Sequence, residues 1–321
     1  MVIVISNRNI NEGATNESLF GEGTNTKGID EIRLAKAIFD EEQKQWALEL
    51  IPESTPIETF RDRPSYKLFE EIIEGIKEQT YKSDWVFYIH GFNQSFKKTL
   101  DASYEITQKY KVEVIVFSWA SNPGGIVTAE YQRARQAAKA SANAIDRALE
   151  FLGDYLRKRP QEEIEQCNVR LNLLIHSLGN YLVEQFVRSP VFSSDTRIFD
   201  NIIFHQADVD NQRHKFWMDR VQYGRRLYIT INENDRVLKG SDLINPARLG
   251  NTSEDLTSKR AIYMDFTDGD DVGREHNFFT GDHGNKTIEQ FFQRVLTSRR
   301  GELIQGFQKQ GQNNVFYLQG K

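Results

Sequence analysis

The chain has 321 residues, with 41 Lys+Arg against 46 Asp+Glu and a formal net charge of −5, a balance that disfavours a dedicated nucleic-acid binder or a general attraction to anionic lipid. Hydrophobic residues make up 39% and aromatics 12%, enough for a packed core, so a disordered body is excluded. Cys167 is the single cysteine, which removes an intramolecular disulfide framework and a multi-thiolate zinc site and suits a reducing, cytoplasmic setting.

In chain order, Met1-Val-Ile-Val-Ile-Ser6 lacks the basic start and apolar stretch of a secretory signal and reads as a buried strand. No apolar run approaches the ~18 residues that a transmembrane helix needs. The polar, Gly-rich stretch 7–30 is expected to be a long surface loop, and 46–51 an antiparallel strand. Phe69, Ile72, Ile73 and Ile76 recur at helical spacing; a strand over 85–90, a helix over 96–110 and a strand over 112–118 then complete a β-α-β unit. After the break at Asn122-Pro-Gly-Gly125, one long Ala-rich helix carries Ile145, Leu149, Leu152 and Leu156 as a stripe and stops before Pro160, so 120–160 is expected to be a helical, lid-like insertion. A strand over 169–175, a helix striped by Leu178, Leu182 and Phe186, and strands at 202–204, 226–231 and 261–266 follow. The last helix shows Ile288, Phe291, Phe292, Val295 and Leu296, and the Gln/Asn/Gly-rich 301–321 is expected to be a loosely held tail. The alternation predicts a single α/β domain over 1–300, with a mostly parallel central sheet covered by helices on both faces.

The chemistry concentrates where strands end. Leu173-Leu-Ile-His-Ser-Leu-Gly179 is a strand running directly into an amphipathic helix, the context of a nucleophile elbow. A Ser177 hydroxyl there stands above the carboxyl edge of the sheet, and the N–H of Leu178 faces the same space. Gly179 permits close helix-to-strand approach, whereas Ile175 replaces the small residue usual two positions before the Ser. Tyr88-Ile-His-Gly-Phe-Asn93 supplies a His-Gly turn, with the Phe92 N–H as the second oxyanion donor. Asp235, after the strand ending at Ile231, is the candidate acid, with Asp208 as its rival. The base must come late in the chain, and both His276 and His283 qualify; aromatic neighbours that exclude water favour His276. Gly21-x-Gly23 gives no dinucleotide fingerprint and no GK[ST] phosphate loop exists. His205, Asp208, Asp210 and His214 share no face suited to a metal, and Asp265–Asp271 lacks the ligand spacing of a calcium loop.

With these residues in order, the chain resembles the α/β-hydrolase fold, and more narrowly a bacterial α/β-hydrolase family of unknown function. The resemblance is carried by Ile89-His-Gly-Phe-Asn93, Val116-Phe-Ser-Trp119, Ile175-His-Ser-Leu-Gly-Asn180, Ala207-Asp-Val-Asp210, Asn234-Asp-Arg236 with Ser241, Arg248-Leu-Gly250 and His276-Asn-Phe-Phe279. It implies Ser177 as nucleophile, Asp235 as acid and His276 as base. Phe204-His205-Gln206 stands where that family tends to have small residues. The function expected is a serine hydrolase that cleaves a small-molecule carboxylic ester, short-chain or lipid-like, through an acyl-enzyme, with no metal or organic cofactor. A catalytically inactive interaction module of the same fold is the alternative, and a homo-oligomeric state stays open.

Overall fold

The computed structural model describes residues 1–28, 31–52, 60–122, 127–158, 167–189, 197–311 and 314–320. The chain forms two compact units, 1–88 with 93–170 and 89–92 with 171–321. Their strands are mostly parallel, the arrangement expected of an α/β fold. Among the described residues, no helix is long and apolar enough to cross a membrane.

In the first unit, β1 (Val2–Ser6) is buried along its whole length because its neighbours flank it on both sides. It runs parallel to β7 (Glu113–Ser118) and antiparallel to β4 (Arg33–Asp40), which pairs antiparallel with β5 (Gln45–Ile51). With β6 (Asp84–Ile89) the order is β6-β7-β1-β4-β5. The stretch expected as a surface loop instead contains an antiparallel hairpin, β2 (Arg8–Ile10) with β3 (Phe20–Thr24). Its stitching is long-range: the buried Arg8 guanidinium donates to Glu22, to the Ser118 hydroxyl and to the Gln94 carbonyl. Helices α1 (Pro64–Lys77) and α2 (Phe96–Tyr110) match the predicted spacing, and the Ser95 hydroxyl caps α2 by accepting from Lys98 N. The long Ala-rich helix is two, α3 (Val127–Ala140) and α4 (Ala142–Lys158). At the junction, one residue long, Ser141 N still donates to the Ala137 carbonyl and Ile145 N to the Ser141 carbonyl, while the Ser141 hydroxyl donates to the Ala137 carbonyl and accepts from Asn7 Nδ2. Residues 123–126 of the predicted break and the Pro160 stop lie outside the described residues.

In the second unit, β8 (Arg170–His176), β9 (Phe199–His205), β10 (Gly224–Ile231) and β11 (Ala261–Asp265) form consecutive parallel neighbours. His176 pairs with His205, and Ile231 with Asp265, so the carboxyl ends of these strands lie side by side. The loops carrying chemistry all leave from that edge. Helix α5 (Gly179–Arg188) follows β8 directly; α6 (Lys215–Met218) and α7 (Arg236–Asp242) are short. Helix α8 (Lys286–Val295), capped by Asn285, buries Ile288, Phe291, Phe292 and Val295. Among the described residues of the stretch expected as a loose tail, β13 (Val315–Leu318) runs parallel to β11 and pairs antiparallel with β12 (Phe307–Lys309). Val315 and Leu318 are buried, and β13 is hydrogen-bonded on both sides, so backbone pairing and two apolar anchors dock a stretch whose polar composition otherwise suggests disorder.

Candidate active site

Ser177 occupies the turn between β8 and α5 with φ +52°, a left-handed conformation that costs a non-glycine residue about 1–3 kcal/mol. Four hydrogen bonds hold it there. Ser177 N donates to the His205 carbonyl at 3.0 Å; the Ser177 carbonyl accepts from Asn180 N at 3.0 Å, Asn180 Nδ2 at 2.9 Å and Asp208 N at 3.2 Å. The turn therefore has a physical need for Asn180 that the sequence pattern alone does not disclose. Glycines make it compact: a Cβ on Gly179 would stand 2.7 Å from the His90 carbonyl oxygen, and one on Gly91 would stand 2.7 Å from Ser177 Cβ. Close packing of the 89–92 turn on the elbow thus depends on bare backbone at both positions. Phe92 follows that turn, and Leu178 is the N-cap residue of α5. Ile175, the departure from the usual small residue, is fully buried in β8, in register with the equally buried Phe204.

Asp235 is fully buried and splits its carboxylate between two tasks. Oδ1 accepts from Val237 N at 2.8 Å and Leu238 N at 3.1 Å, capping α7. Oδ2 accepts from His276 Nδ1 at 2.5 Å. That bond leaves Nε2 as the lone-pair nitrogen of a neutral His276. His283 is turned elsewhere, its Nε2 donating to the Thr280 carbonyl. Asp208, the rival acid, has its carboxylate taken up by the Ser241 hydroxyl at 2.8 Å and by the buried Arg248, which also pairs with Asp210. The Ser177 hydroxyl and the His276 imidazole are not hydrogen-bonded in this structure; such contacts commonly tighten only when substrate is present.

Two further histidines stand beside His276. The His176 ring lies 4.9 Å from that of His276, its Nε2–H donating to the His276 carbonyl at 3.4 Å, and it stacks on His205 with centroids 5.5 Å apart. His205 accepts from Phe278 N through Nε2, so its Nδ1–H donates to Thr230 Oγ1 at 2.7 Å. Burial, with the neighbouring histidines adding like charge, pushes both His176 and His205 well below the ordinary imidazole range. Both are neutral packing elements at ordinary pH, and both bind the 276–278 segment through its backbone. His214 is likewise structural, accepting from the Tyr263 hydroxyl at 2.6 Å.

Asn232 is the residue that sequence reasoning missed. Fully buried, its Nδ2 donates to the Gly273 and Glu275 carbonyls at 3.2 and 2.9 Å, and its Oδ1 accepts from Asn234 N at 3.0 Å. One side chain thus ties the turn bearing Asp235 to the loop bearing His276. Asn-x-Asn-Asp is a legible turn signal; the partners some forty residues downstream are not.

The sequence model of an alpha/beta hydrolase family of unknown function, DUF900, matches residues 67–267. No curated protein and no solved structure matches the chain.

Proposed function

The chain belongs to the alpha/beta hydrolase family of unknown function DUF900, and we propose on that premise that it is a serine hydrolase of carboxylic esters. The observation that carries the reading is the bond between the buried Asp235 and the partly exposed His276 in the unit whose strained elbow presents Ser177. In the proposed cycle His276 Nε2 takes the Ser177 proton as Oγ bonds to the ester carbonyl carbon. The oxyanion that forms is held by the Phe92 and Leu178 N–H groups. The imidazolium, stabilised by Asp235, returns its proton to the leaving alkoxide as the carbon–oxygen bond breaks, giving acyl-Ser177 and free alcohol. Water, deprotonated by Nε2, then attacks the acyl carbon, and Ser177 leaves with that proton, freeing the carboxylic acid, which gives up its own proton to solvent and departs as carboxylate.

A fluorophosphonate probe tests this directly. The expected result is covalent labelling at Ser177, absent in Ser177→Ala and accompanied by turnover of chromogenic short-chain esters. A well-folded protein inert to both the probe and the ester series would assign the chain to the non-catalytic module instead.

A further inference from the structure

We propose that the segment 236–247, which begins at the residue after Asp235, is a docking surface for an anionic lipid layer, from which the ester substrate reaches the site. The proposal rests on the hydrolase reading for its substrate, and on the following observations for its surface.

Among the described residues, six large hydrophobic side chains are exposed, and three of them fall within eight positions: Val237 at 46%, Leu243 at 85% and Ile244 at 51%. Scattered exposed hydrophobics are ordinary, but such clustering is not. Helix α7 already has an inward face, with Leu238 and Ser241 buried, so Val237 and the residues after its C-terminus form a second apolar side facing water. The segment is also held firmly rather than free to collapse. Asp235 caps its start, the Ser241 hydroxyl bonds Asp208, Ile244 N donates to the Ser241 carbonyl at 3.1 Å, and Asn245 Nδ2 donates to the same carbonyl at 3.0 Å.

Charge selects the occupant. Arg236 and Lys239 are exposed on the segment, and exposed Arg274 adjoins it, since Arg236 N donates to the Arg274 carbonyl. The segment's own carboxylate, Asp242, is turned inward, accepting from Arg248 N at 3.1 Å and Asn251 Nδ2 at 2.8 Å. Among the described residues nearby, Glu275 and Asp271 are exposed carboxylates on the stretch that carries Arg274, and the half-exposed Asp210 is held by Arg248, so the cations belonging to the segment itself, Arg236 and Lys239, face no exposed carboxylate of the segment. Exposed apolar side chains on one short segment with exposed cations fit shallow insertion among anionic headgroups. A two-fold pairing of the same face would set its cations against one another, and three apolar side chains fall far short of the ~800 Å² per partner of a standard protein interface. Continuity with the site supports the same choice: the segment starts beside Asp235, and Arg274 precedes His276 by two residues.

Flotation of the full chain with phosphatidylglycerol/phosphatidylcholine vesicles, against pure phosphatidylcholine, tests the surface without relying on turnover. The expected result is co-flotation with the anionic vesicles, at least about tenfold weaker for Leu243→Asp/Ile244→Asp and for Arg236→Glu/Lys239→Glu, with melting temperatures unchanged. Absence of flotation, or flotation insensitive to the Leu243/Ile244 change, overturns the proposal. So does a concentration-dependent dimer in sedimentation velocity that the same change abolishes without any vesicle binding. Ser177→Ala is expected to float like the parent chain. Flotation by a protein that no fluorophosphonate labels sinks the hydrolase reading alone, and labelling without flotation sinks the surface alone.

Discussion

Asp235 shows how much one buried side chain is asked to do. One carboxylate oxygen holds two backbone N–H groups at the start of α7 and the other holds the Nδ1–H of His276, so the group that orients the imidazole is itself oriented by a helix terminus. The two tasks separate by substitution. In Asp235→Asn the amide oxygen can keep the cap, but its NH₂ cannot accept from Nδ1–H, which forces the wrong tautomer; kcat is expected to fall about 10⁴-fold with the melting temperature nearly preserved. Asp235→Ala removes the cap as well and is expected to lose a further ~1 kcal/mol of stability by denaturant titration. His283→Ala, whose ring donates to the Thr280 carbonyl and packs edge-on against Phe278, is expected to retain ester turnover, while His276→Ala loses it.

At the level of elements, the candidate site is a set of strand-end turns held in mutual register by side-chain bonds to backbone. The elbow is pinned through Asn180 and the main chain of 205–208, and the loop bearing His276 through Asn232, His176 and His205. Asn232→Ala is therefore expected to lower kcat roughly 10²-fold with KM little changed, because a misplaced imidazole damages proton transfer more than ground-state binding. Steady-state kinetics and the rate of fluorophosphonate labelling should fall together; unaffected labelling would remove Asn232 from this role. Helix spacing was legible in the sequence at this scale because each apolar stripe is a local pattern: 96–110 came out residue for residue. The Asn7–Ser141 bond at the α3–α4 junction was not, since it is a contact between distant residues.

Across the whole molecule, burying two neutral histidines couples stability to pH. The folded pKa values of His176 and His205 lie well below the unfolded value of ~6.5, so the unfolded chain binds more protons as pH falls past that value, and stability is lost on acidification. Each buried histidine is expected to cost about 1.4 kcal/mol per pH unit below ~6.5 until its own folded pKa is reached. Urea denaturation between pH 7 and 5, comparing the parent chain with His205→Gln, isolates one such contribution: the variant should show the shallower decline. The sequence by itself determined the α/β class, the order of most strands and helices, and the candidates Ser177, Asp235 and His276, because hydrophobic period and strand-end motifs are local quantities. Tertiary structure decided which late histidine meets which carboxylate, where Arg8 stitches a hairpin into an apparent loop, and that the polar C-terminal stretch docks as strands. Each of those outcomes is a pairing between distant positions, and a linear pattern carries no information on which of several competent partners comes within 3 Å.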